Sequence, residues 1–320
     1  MRVLFCESCG APMDAPWANL VVVCVHCGSQ NLPGQPGSPV PPRVPVDGRP
    51  RLNLGGRTYV LEGRLGEGAS TTVYRGRWVV RLGELVVIKV LTALTDADLL
   101  RREWDTLRAL QHATTQGSDH YVTRLPVPVA HGLVDSDHPR LASVFGWKSG
   151  FVHTLEQVGE EHSSGVSPAQ LVWILKRLLE LIGFVHRAGW VHGAVTPDHV
   201  LIHPRDHGAM LIGWSLAAPW SPGRTRPLRA VPHRWQGLYG GSREASPTLD
   251  IQMACQCARS IAGWHLANVV TTPPIERVLQ RGLSGDVDDA WALRDELVAA
   301  SSDALGPAAY HPLNMPGWRT

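Results

Sequence analysis

The arrangement of apolar and polar residues divides the chain into a strand-rich region followed by a helix-rich region. Segments rich in β-forming residues predict strands over Tyr59–Leu65 and Thr72–Trp78, which flank a glycine-containing turn, and over Leu85–Leu91. Helical spacing of apolar residues begins afterwards, over Asp96–Leu110. The sequence contains no internal repeat, so these elements predict one mixed fold.

The clearest predicted helix runs from Ser167 to Gly189. Ser167 is the expected N-cap, Pro168 fills the first helical position, and Gln170 completes a capping box. Gly189 is expected to end the helix. The apolar stripe that predicts one buried face consists of Leu171, Leu175, Leu178, Ile182 and Val185.

Four cysteines near the N-terminus form two Cys-x-x-Cys-Gly pairs, at Cys6, Cys9, Cys24 and Cys27. Fourteen residues separate the pairs and no secretory signal is recognisable, so metal binding is favoured over disulfide formation. Four thiolates complete a tetrahedral shell that suits structural Zn²⁺ and leave no position for a reacting water. The pattern resembles a zinc ribbon, and an iron site or four reduced thiols are the alternatives.

Residues 31–52 are predicted to form a linker. Seven prolines fall between Asn31 and Pro50, and they exclude a helix or a central strand. A spacer of polyproline character is the expected role, with a docking segment as the alternative. Residues 301–320 are predicted to be a proline-containing tail.

The composition is that of a globular protein, with 44% hydrophobic and 18% charged residues. The 30 basic residues nearly balance the 28 acidic ones, so a nucleic-acid partner is not expected. No apolar run reaches the roughly 18–20 residues of a membrane span, so a cytoplasmic location without membrane contact is predicted. Only three of the basic residues are lysines, which makes the position of each lysine informative.

The glycine-containing turn lies in the segment 65–73, with the sequence LGEGASTTV. Glycines between strands let backbone N–H groups approach a phosphate closely. The third predicted strand contains Lys89. In the next predicted helix, Glu103 lies on the same apolar stripe as Leu100, Leu107 and Leu110. A carboxylate on an inward face needs a partner, and Lys89 is the expected one.

These motifs resemble those of the eukaryotic-type serine/threonine protein kinase family. Gly66, Gly68 and Val73 match its G-x-G-x-x-G-x-V loop, in which Thr71 stands in place of the third glycine. Lys89 and Glu103 match its lysine–glutamate pair. The resemblance continues in the family's order over about 250 residues. Residues 191–202 align with the H-R-D-L-K-P-E-N-L-L segment, 209–218 with the strand and D-F-G, 249–251 with the start of the central helix, and 276–300 with two terminal helices.

The resemblance implies an α+β, bilobal protein-kinase-like fold, preceded by a small β zinc ribbon and the proline-rich linker. The implied domains are 1–30 for the ribbon, 31–52 for the linker, 53–300 for the kinase-like domain with lobes 53–148 and 149–300, and 301–320 for the tail. The nucleotide-binding residues it implies are Leu65, Gly66, Gly68, Val73, Lys89 and Glu103.

Four departures fall on the family's catalytic positions. Ala194 stands in place of the aspartate that accepts the substrate proton, and a methyl group cannot accept one. Thr196 replaces the lysine two positions on, and His199 and Gly213 replace the asparagine and the aspartate that hold Mg²⁺. Because phosphoryl transfer depends on positioning and charge neutralisation by such groups, no catalytic residue is expected.

Some residues near these four positions match the family, and two others are carboxylates that could replace a lost catalytic one. His192, Pro197 and Asp250 match positions that support the family's fold. Asp198 and Asp206 are the nearby carboxylates that could stand in for a lost one, and neither falls in register. An active enzyme with unorthodox residues therefore stays an alternative.

The departures favour a catalytically inactive pseudokinase, a scaffold or allosteric regulator in intracellular, for example bacterial, signalling. Protein partners in a signalling complex are expected. The alternatives are an active ATP-dependent serine/threonine protein kinase and a nucleotide sensor. Structural zinc and weak, Mg²⁺-independent ATP binding are the expected cofactor interactions, because His199 and Gly213 supply no carboxylate or amide for the metal.

Overall fold

The computed structural model describes residues 2–5, 12–15, 22–23, 30–31, 49–68, 70–81, 83–134, 140–224, 226–230, 232–239, 244–263 and 272–316. The four N-terminal cysteines and most of the predicted linker lie outside these residues. None of the helices in the described ranges is both long and apolar enough to cross a membrane. The chain divides into two units, Met1–Leu100 with Val127–Ser149, and Arg101–Pro126 with Gly150–Thr320.

Four short strands come first in the first unit: β1 (Arg2–Phe5), β2 (Pro12–Ala15), β3 (Val22–Val23) and β4 (Gln30–Asn31). Strand β1 pairs antiparallel with β2, and β3 pairs antiparallel with β4. The first cysteine pair follows β1 in the sequence, and the second follows β3. The metal site itself stays a prediction.

The rest of the first unit is built on a six-stranded antiparallel sheet. Its strands are β5 (Arg51–Leu54), β6 (Arg57–Glu67), β7 (Thr71–Trp78), β8 (Leu85–Leu91), β9 (Pro128–Val134) and β10 (Arg140–Gly146). Across the sheet their order is β5-β6-β7-β8-β10-β9. The three strands predicted from the sequence are confirmed as β6, β7 and β8.

One face of this sheet carries an apolar core. In β8, Val86, Ile88 and Val90 are buried in this core, and Lys89 lies between the last two on the opposite face. The alternation arises because successive side chains of a strand point to opposite faces. The other core residues are Leu52, Leu54, Tyr59, Ala130, Val134, Ala142 and Val144.

Helix α1 (Ala97–Gln111) confirms the helical spacing predicted over residues 96–110. Leu107 and Leu110 are fully buried, and Glu103 on the same stripe is only 2% exposed. Most of α1 belongs to the second unit, together with the residues up to Pro126. One contact that places residues 101–126 in the second unit is the stacking of the Tyr121 ring on Phe184, with ring centres 5.5 Å apart.

The second unit is mainly helical. Its further helices are α2 (Ser118–Tyr121), α3 (Leu155–Glu161), α4 (Pro168–Arg187), α5 (Pro247–Ile261), α6 (Pro273–Ser284) and α7 (Ala290–Leu305). Its strands are β11 (His153–Thr154), β12 (Trp190–Val191), β13 (Val200–His203), β14 (Gly208–Leu211) and β15 (Ala218–Pro219). Strands β11, β13 and β14 form one small sheet in that order, and β12 pairs with β15.

Helix α4 begins and ends where the sequence predicts. Ser167 Oγ accepts the N–H of Gln170 at 3.3 Å, and Gln170 Oε1 accepts the N–H of Ser167 at 2.9 Å. Gly189, two residues beyond the helix, has φ +81, a conformation that glycine adopts without a steric penalty. The predicted stripe is buried along its whole length, at Leu171, Leu175, Leu178, Ile182 and Val185.

The predicted tail begins inside α7, and the residues after it contact the second unit. The ring of His207 stacks between Trp173 and Tyr310, with ring centres 4.3 and 4.5 Å apart. Gln170 Nε2 donates to the carbonyl of Pro312 at 2.6 Å, across 142 positions of sequence. Contacts over such separations leave no local pattern, which is why the sequence predicts only a tail.

Candidate functional site

Hydrogen bonds hold the turn between β6 and β7. The N–H of Gly68 donates to the carbonyl of Thr71 at 2.8 Å. The carbonyl of Ser70 accepts both the N–H and the hydroxyl of Thr92, each at 2.9 Å. Because Thr92 directly follows β8, these bonds fix the turn to the end of the strand that carries Lys89.

The two glycines of this turn are not required by backbone conformation. Neither Gly66 nor Gly68 has a positive φ. A Cβ at Gly66 would meet no atom within 4 Å, and one at Gly68 would lie 3.5 Å from the nearest atom, an ordinary contact distance. The neighbouring Leu65 is 49% exposed. The described residues therefore leave room at this backbone for an incoming group such as a phosphate.

Lys89 belongs to a row of residues that crosses the sheet. Val73 is opposite Lys89 on one side and Ser143 on the other, and His131 is opposite Ser143. Ser143 is fully buried, with its Oγ 2.8 Å from Nδ1 of His131. The Lys89 ammonium lies 5.9 Å from the centre of the Phe145 ring. Sequence reasoning missed the Ser143–His131 pair, because cross-strand neighbours are distant in sequence.

Glu103 on α1 contacts a backbone group of the second unit. Its Oε1 accepts the N–H of Trp214 at 3.1 Å. Trp214 is fully buried, and its indole N–H donates to the carbonyl of Leu211 at 3.0 Å. This bond gives the buried carboxylate one of the partners that it needs. The pairing of Glu103 with Lys89 stays a prediction.

Asp250 at the start of α5 holds the loop that leads to Ala194. Ala194, Thr196, His199 and Gly213, the positions predicted to align with the family's catalytic residues, are called the altered site. Its Oδ1 accepts the N–H of Gly193 and its Oδ2 accepts the N–H of His192, both at 2.8 Å. Nε2 of His186 lies 3.1 Å from the same Oδ2. A fully buried carboxylate is stable when several donors satisfy it. Asp250 thereby fixes the backbone immediately before Ala194.

His192 links this loop to the segment that contains Gly213. Burial lowers the pKa of His192 to about 4, although the charge of Asp250 opposes the shift. The neutral ring accepts the N–H of Ala194 at Nδ1, at 3.2 Å, so Nε2 carries the proton and donates to the carbonyl of Ile212 at 3.1 Å. His192 therefore fixes the backbone on both sides of the altered site.

Ala194 and Thr196 are buried, with 1% and 3% exposure. The Ala194 side chain has no lone pair, and the Thr196 hydroxyl has no hydrogen-bond partner among the described residues. Neither a methyl group nor a neutral hydroxyl acts as a general base near neutral pH. These two positions supply no proton acceptor.

His199 and Gly213 are packed so closely that each determines what the other position can hold. Nδ1 of His199 donates to the carbonyl of Ala194 at 2.9 Å, which orients the ring. A Cβ at Gly213 would lie 2.5 Å from Cδ2 and Nε2 of that ring. Gly213 also has φ +78, which favours glycine. A side chain at Gly213 would therefore require the imidazole to move.

Two carboxylates were considered as substitutes for a lost catalytic group, and both side chains are exposed: Asp198 by 49% and Asp206 by 56%. Asp198 Oδ2 lies 3.8 Å from Nε2 of His199. Asp206 lies in the β13–β14 turn, where its carboxylate is 3.3 Å from His203 Nε2 and 3.5 Å from Arg205 Nε. Of these two exposed carboxylates, Asp198 is the one beside the altered site.

Among the described residues, no three His, Cys, Asp or Glu side chains are arranged to hold a metal ion. This does not cover Cys6, Cys9, Cys24 and Cys27, which lie outside the described residues. Zinc binding by those cysteines stays a prediction.

Solved structures establish the fold. The chain is similar to the BubR1 kinase domain (TM-score 0.60, 13% identity, 80% of this chain and 83% of that one). It is also similar to a rhoptry antigen kinase domain of Toxoplasma gondii (0.54, 17%, 78% and 86%) and to vaccinia related kinase 3 (0.57, 15%, 83% and 94%). No protein-family model and no curated protein sequence matches the chain. The protein-kinase-like fold predicted from the sequence is confirmed.

Proposed function

We propose that this protein is a catalytically inactive pseudokinase, which acts as a scaffold or an allosteric regulator for protein partners in intracellular, for example bacterial, signalling. The contact between His199 and Gly213 is the observation that carries the proposal. At the two positions aligned with the metal ligands, one residue is an imidazole bonded to the backbone and the other has no side chain. Mg²⁺ prefers oxygen ligands, and this pair offers none from its side chains.

The missing groups account for most of the chemistry of phosphoryl transfer. Removing one preorganised charge-stabilising group costs a factor of about 10²–10³ in rate. Here the base and both metal ligands are replaced together. The hydrogen bonds of Asp250 and His192 nevertheless keep the loop ordered. A fold maintained without its chemistry supports a role in binding protein partners.

Weak, Mg²⁺-independent ATP binding belongs to the same proposal. The residues that would form the site are Leu65, Gly66, Gly68, Val73, Lys89 and Glu103. Two observations support it: Gly66 and Gly68 have no steric reason to be glycine in the described structure, and Lys89 is one of only three lysines in the chain. Binding without transfer would make the protein a nucleotide sensor.

A phosphate-transfer assay on the full chain tests the central claim. The wild type would be incubated with labelled ATP and casein, beside Lys89→Met and the matched lysine control Lys148→Met. We expect no transfer to the protein or to casein in any of the three. Transfer that is lost in Lys89→Met but kept in Lys148→Met would refute the pseudokinase and favour an active kinase. Asp198 would then be the first candidate base.

Calorimetry with ATP separates the sensor from a pure scaffold. We expect weak binding that is the same with and without Mg²⁺ and that is lost in Lys89→Met. The absence of binding at millimolar ATP would leave a scaffold that does not bind nucleotide. A large gain in affinity with Mg²⁺ would contradict the assignment of the metal positions to His199 and Gly213.

A further inference from the structure

One stretch of the second unit is strongly basic. Residues 207–243 contain five arginines and no aspartate or glutamate, whereas the 30 basic and 28 acidic residues of the whole chain nearly balance. Three of these arginines, Arg224, Arg226 and Arg229, fall in positions 221–230, which we call the arginine segment. Positive charge is therefore concentrated in one short part of the chain.

Backbone hydrogen bonds fix the arginine segment. The N–H of Arg224 donates to the carbonyl of Ser221 at 3.0 Å, which closes a turn. The carbonyl of Arg226 accepts the N–H of Ala245 at 2.9 Å, which ties the segment to the residues just before α5. The backbone groups of an untethered loop would bond mainly to water instead. The bond to Ala245 therefore indicates that the segment has a defined path.

The arginine segment also packs against the loop of the altered site. Leu228 is only 3% exposed, and a Cβ at Gly193 would lie 2.7 Å from its Cδ2. Further along the chain, the indole N–H of Trp235 donates to the carbonyl of Val195 at 3.1 Å. Gly193 and Val195 are the two neighbours of Ala194, so the segment and the residues after it are anchored at the altered site.

The arginine residues of this anchored backbone are on the surface. Arg224, Arg226 and Arg229 are all exposed, and no carboxylate of a described residue pairs with Arg224 or Arg226. Among the described residues, the backbone pairing brings Glu244 to the segment, opposite Pro227. One negative charge thus accompanies three positive ones. A surface dominated by one sign of charge attracts partners of the opposite sign and favours their association.

We propose that the arginine segment is a docking surface for a run of carboxylates in a partner protein. The proposal rests on the binding of protein partners proposed above, and it names the chemistry of the partner. Guanidinium groups form charge-assisted hydrogen bonds with carboxylates. Arg224 and Arg229 are separated by at most about 18 Å of chain, close to the length of six extended residues. Charges spread in this way match several carboxylates in a row better than a single phosphate.

Hexaglutamate carrying a fluorescent label is the probe, and fluorescence anisotropy would measure its binding to the full chain. Hexaglutamine is the neutral counterpart, a glycine–serine peptide with one phosphoserine offers a single phosphate, and a single-stranded oligonucleotide of matched charge offers a different polyanion. We expect hexaglutamate to bind more tightly than the other three. Its affinity should fall as the salt concentration rises, because exposed charges are screened.

The double variant Arg224→Gln with Arg226→Gln should lower the affinity for hexaglutamate by about two- to thirtyfold, the combined value of two exposed ion pairs. Its melting temperature should equal that of the wild type, because both residues are exposed and pair with no described carboxylate. Arg101→Gln with Arg108→Gln is the matched control. It removes the same charge from two exposed arginines of α1, and it should bind hexaglutamate almost as the wild type does.

Four results would overturn the proposal. They are the absence of hexaglutamate binding at millimolar concentration, equal binding by the Arg224/Arg226 variant and the wild type, an equal loss in the Arg101/Arg108 control, and tighter binding of the phosphoserine peptide or the oligonucleotide. Failure here is distinguishable from failure of the proposed function. Phosphate transfer that depends on Lys89 would refute the pseudokinase and leave the docking surface standing, whereas loss of hexaglutamate binding would leave the pseudokinase standing.

Discussion

Substitution of Gly213 by alanine tests the central feature of the altered site. A methyl group at this position would lie 2.5 Å from the imidazole of His199. The ring can move away only by weakening its hydrogen bond to the carbonyl of Ala194, which is 2.9 Å long. Gly213→Ala should therefore destabilise the protein by more than its backbone conformation alone explains.

Two contributions make up the expected loss. Placing a non-glycine residue in the left-handed conformation costs about 1–2 kcal/mol. Displacing a packed, hydrogen-bonded ring adds about 1–3 kcal/mol, as for other overpacked sites. The total is thus about 2–5 kcal/mol. One kcal/mol corresponds to roughly 2–4 °C in melting temperature for 150–250 residues, and a chain of 320 residues should lie at or below this range.

Gly223 provides a matched control. It has φ +74, close to the φ +78 of Gly213, but a Cβ there would meet no atom within 4 Å. Gly223→Ala should therefore show the backbone cost alone. The melting temperatures of both variants would be measured in the wild-type background and with His199→Ala. Removing the imidazole should recover about 1–3 kcal/mol of the Gly213→Ala loss and none of the Gly223→Ala loss.

Equal losses in Gly213→Ala and Gly223→Ala would refute the reasoning, because the imidazole would then have no effect on the substitution. So would a Gly213→Ala loss that is unchanged in the His199→Ala background. Either result would mean that a side chain fits beside the ring, and a metal-binding carboxylate at this position would again be compatible with the site.

Two further predictions concern zinc and pH. Freshly purified protein should contain one Zn²⁺ per chain, and chelation should unfold residues 1–30 while sparing the rest; elemental analysis without stoichiometric metal would exclude the site at Cys6, Cys9, Cys24 and Cys27. Burial lowers the pKa of His192 from 6.5 to about 4, so protonation of this ring favours the unfolded chain. The free energy of unfolding should therefore fall by up to about 3 kcal/mol as the pH decreases from 6.5 towards 4, and this loss should be absent above pH 6.5. His192→Gln should reduce this acid sensitivity in denaturant titrations, and the exposed control His112→Gln should not; identical pH profiles in the wild type and His192→Gln would contradict it.

Local signals in the sequence predicted the elements well. The capping residues Ser167 and Gln170 mark the start of α4 because both ends of that hydrogen-bonded motif lie three residues apart. The strand that carries Lys89 could also be predicted from the sequence, because its alternating apolar residues face one core. The protein-kinase-like fold was predicted from the motifs on these elements, whose residues, order and spacing resemble those of the protein kinase family.

The site was predictable only in part. That Ala194 and Gly213 lack carboxylates follows from the sequence alone, because a residue's chemistry is fixed by its identity. The sequence predicted Lys89 as a partner for Glu103, but it gave no sign of the N–H of Trp214, which lies 111 positions away. A backbone group carries no residue-specific signal, so only folding reveals such a partner.

The sequence by itself determined the elements with clear local signals, such as α4 and the strand that carries Lys89, and which residue types stand at positions 194, 196, 199 and 213. Both depend on residue type and short-range spacing. The tertiary structure decided that the imidazole of His199 fills the space beside Gly213. It also decided that the hydroxyl of Tyr59 and the indole N–H of Trp78 are buried with no hydrogen-bond partner among the described residues. These features depend on the positions of side chains brought together from different segments, and packing at that scale is set by the whole fold.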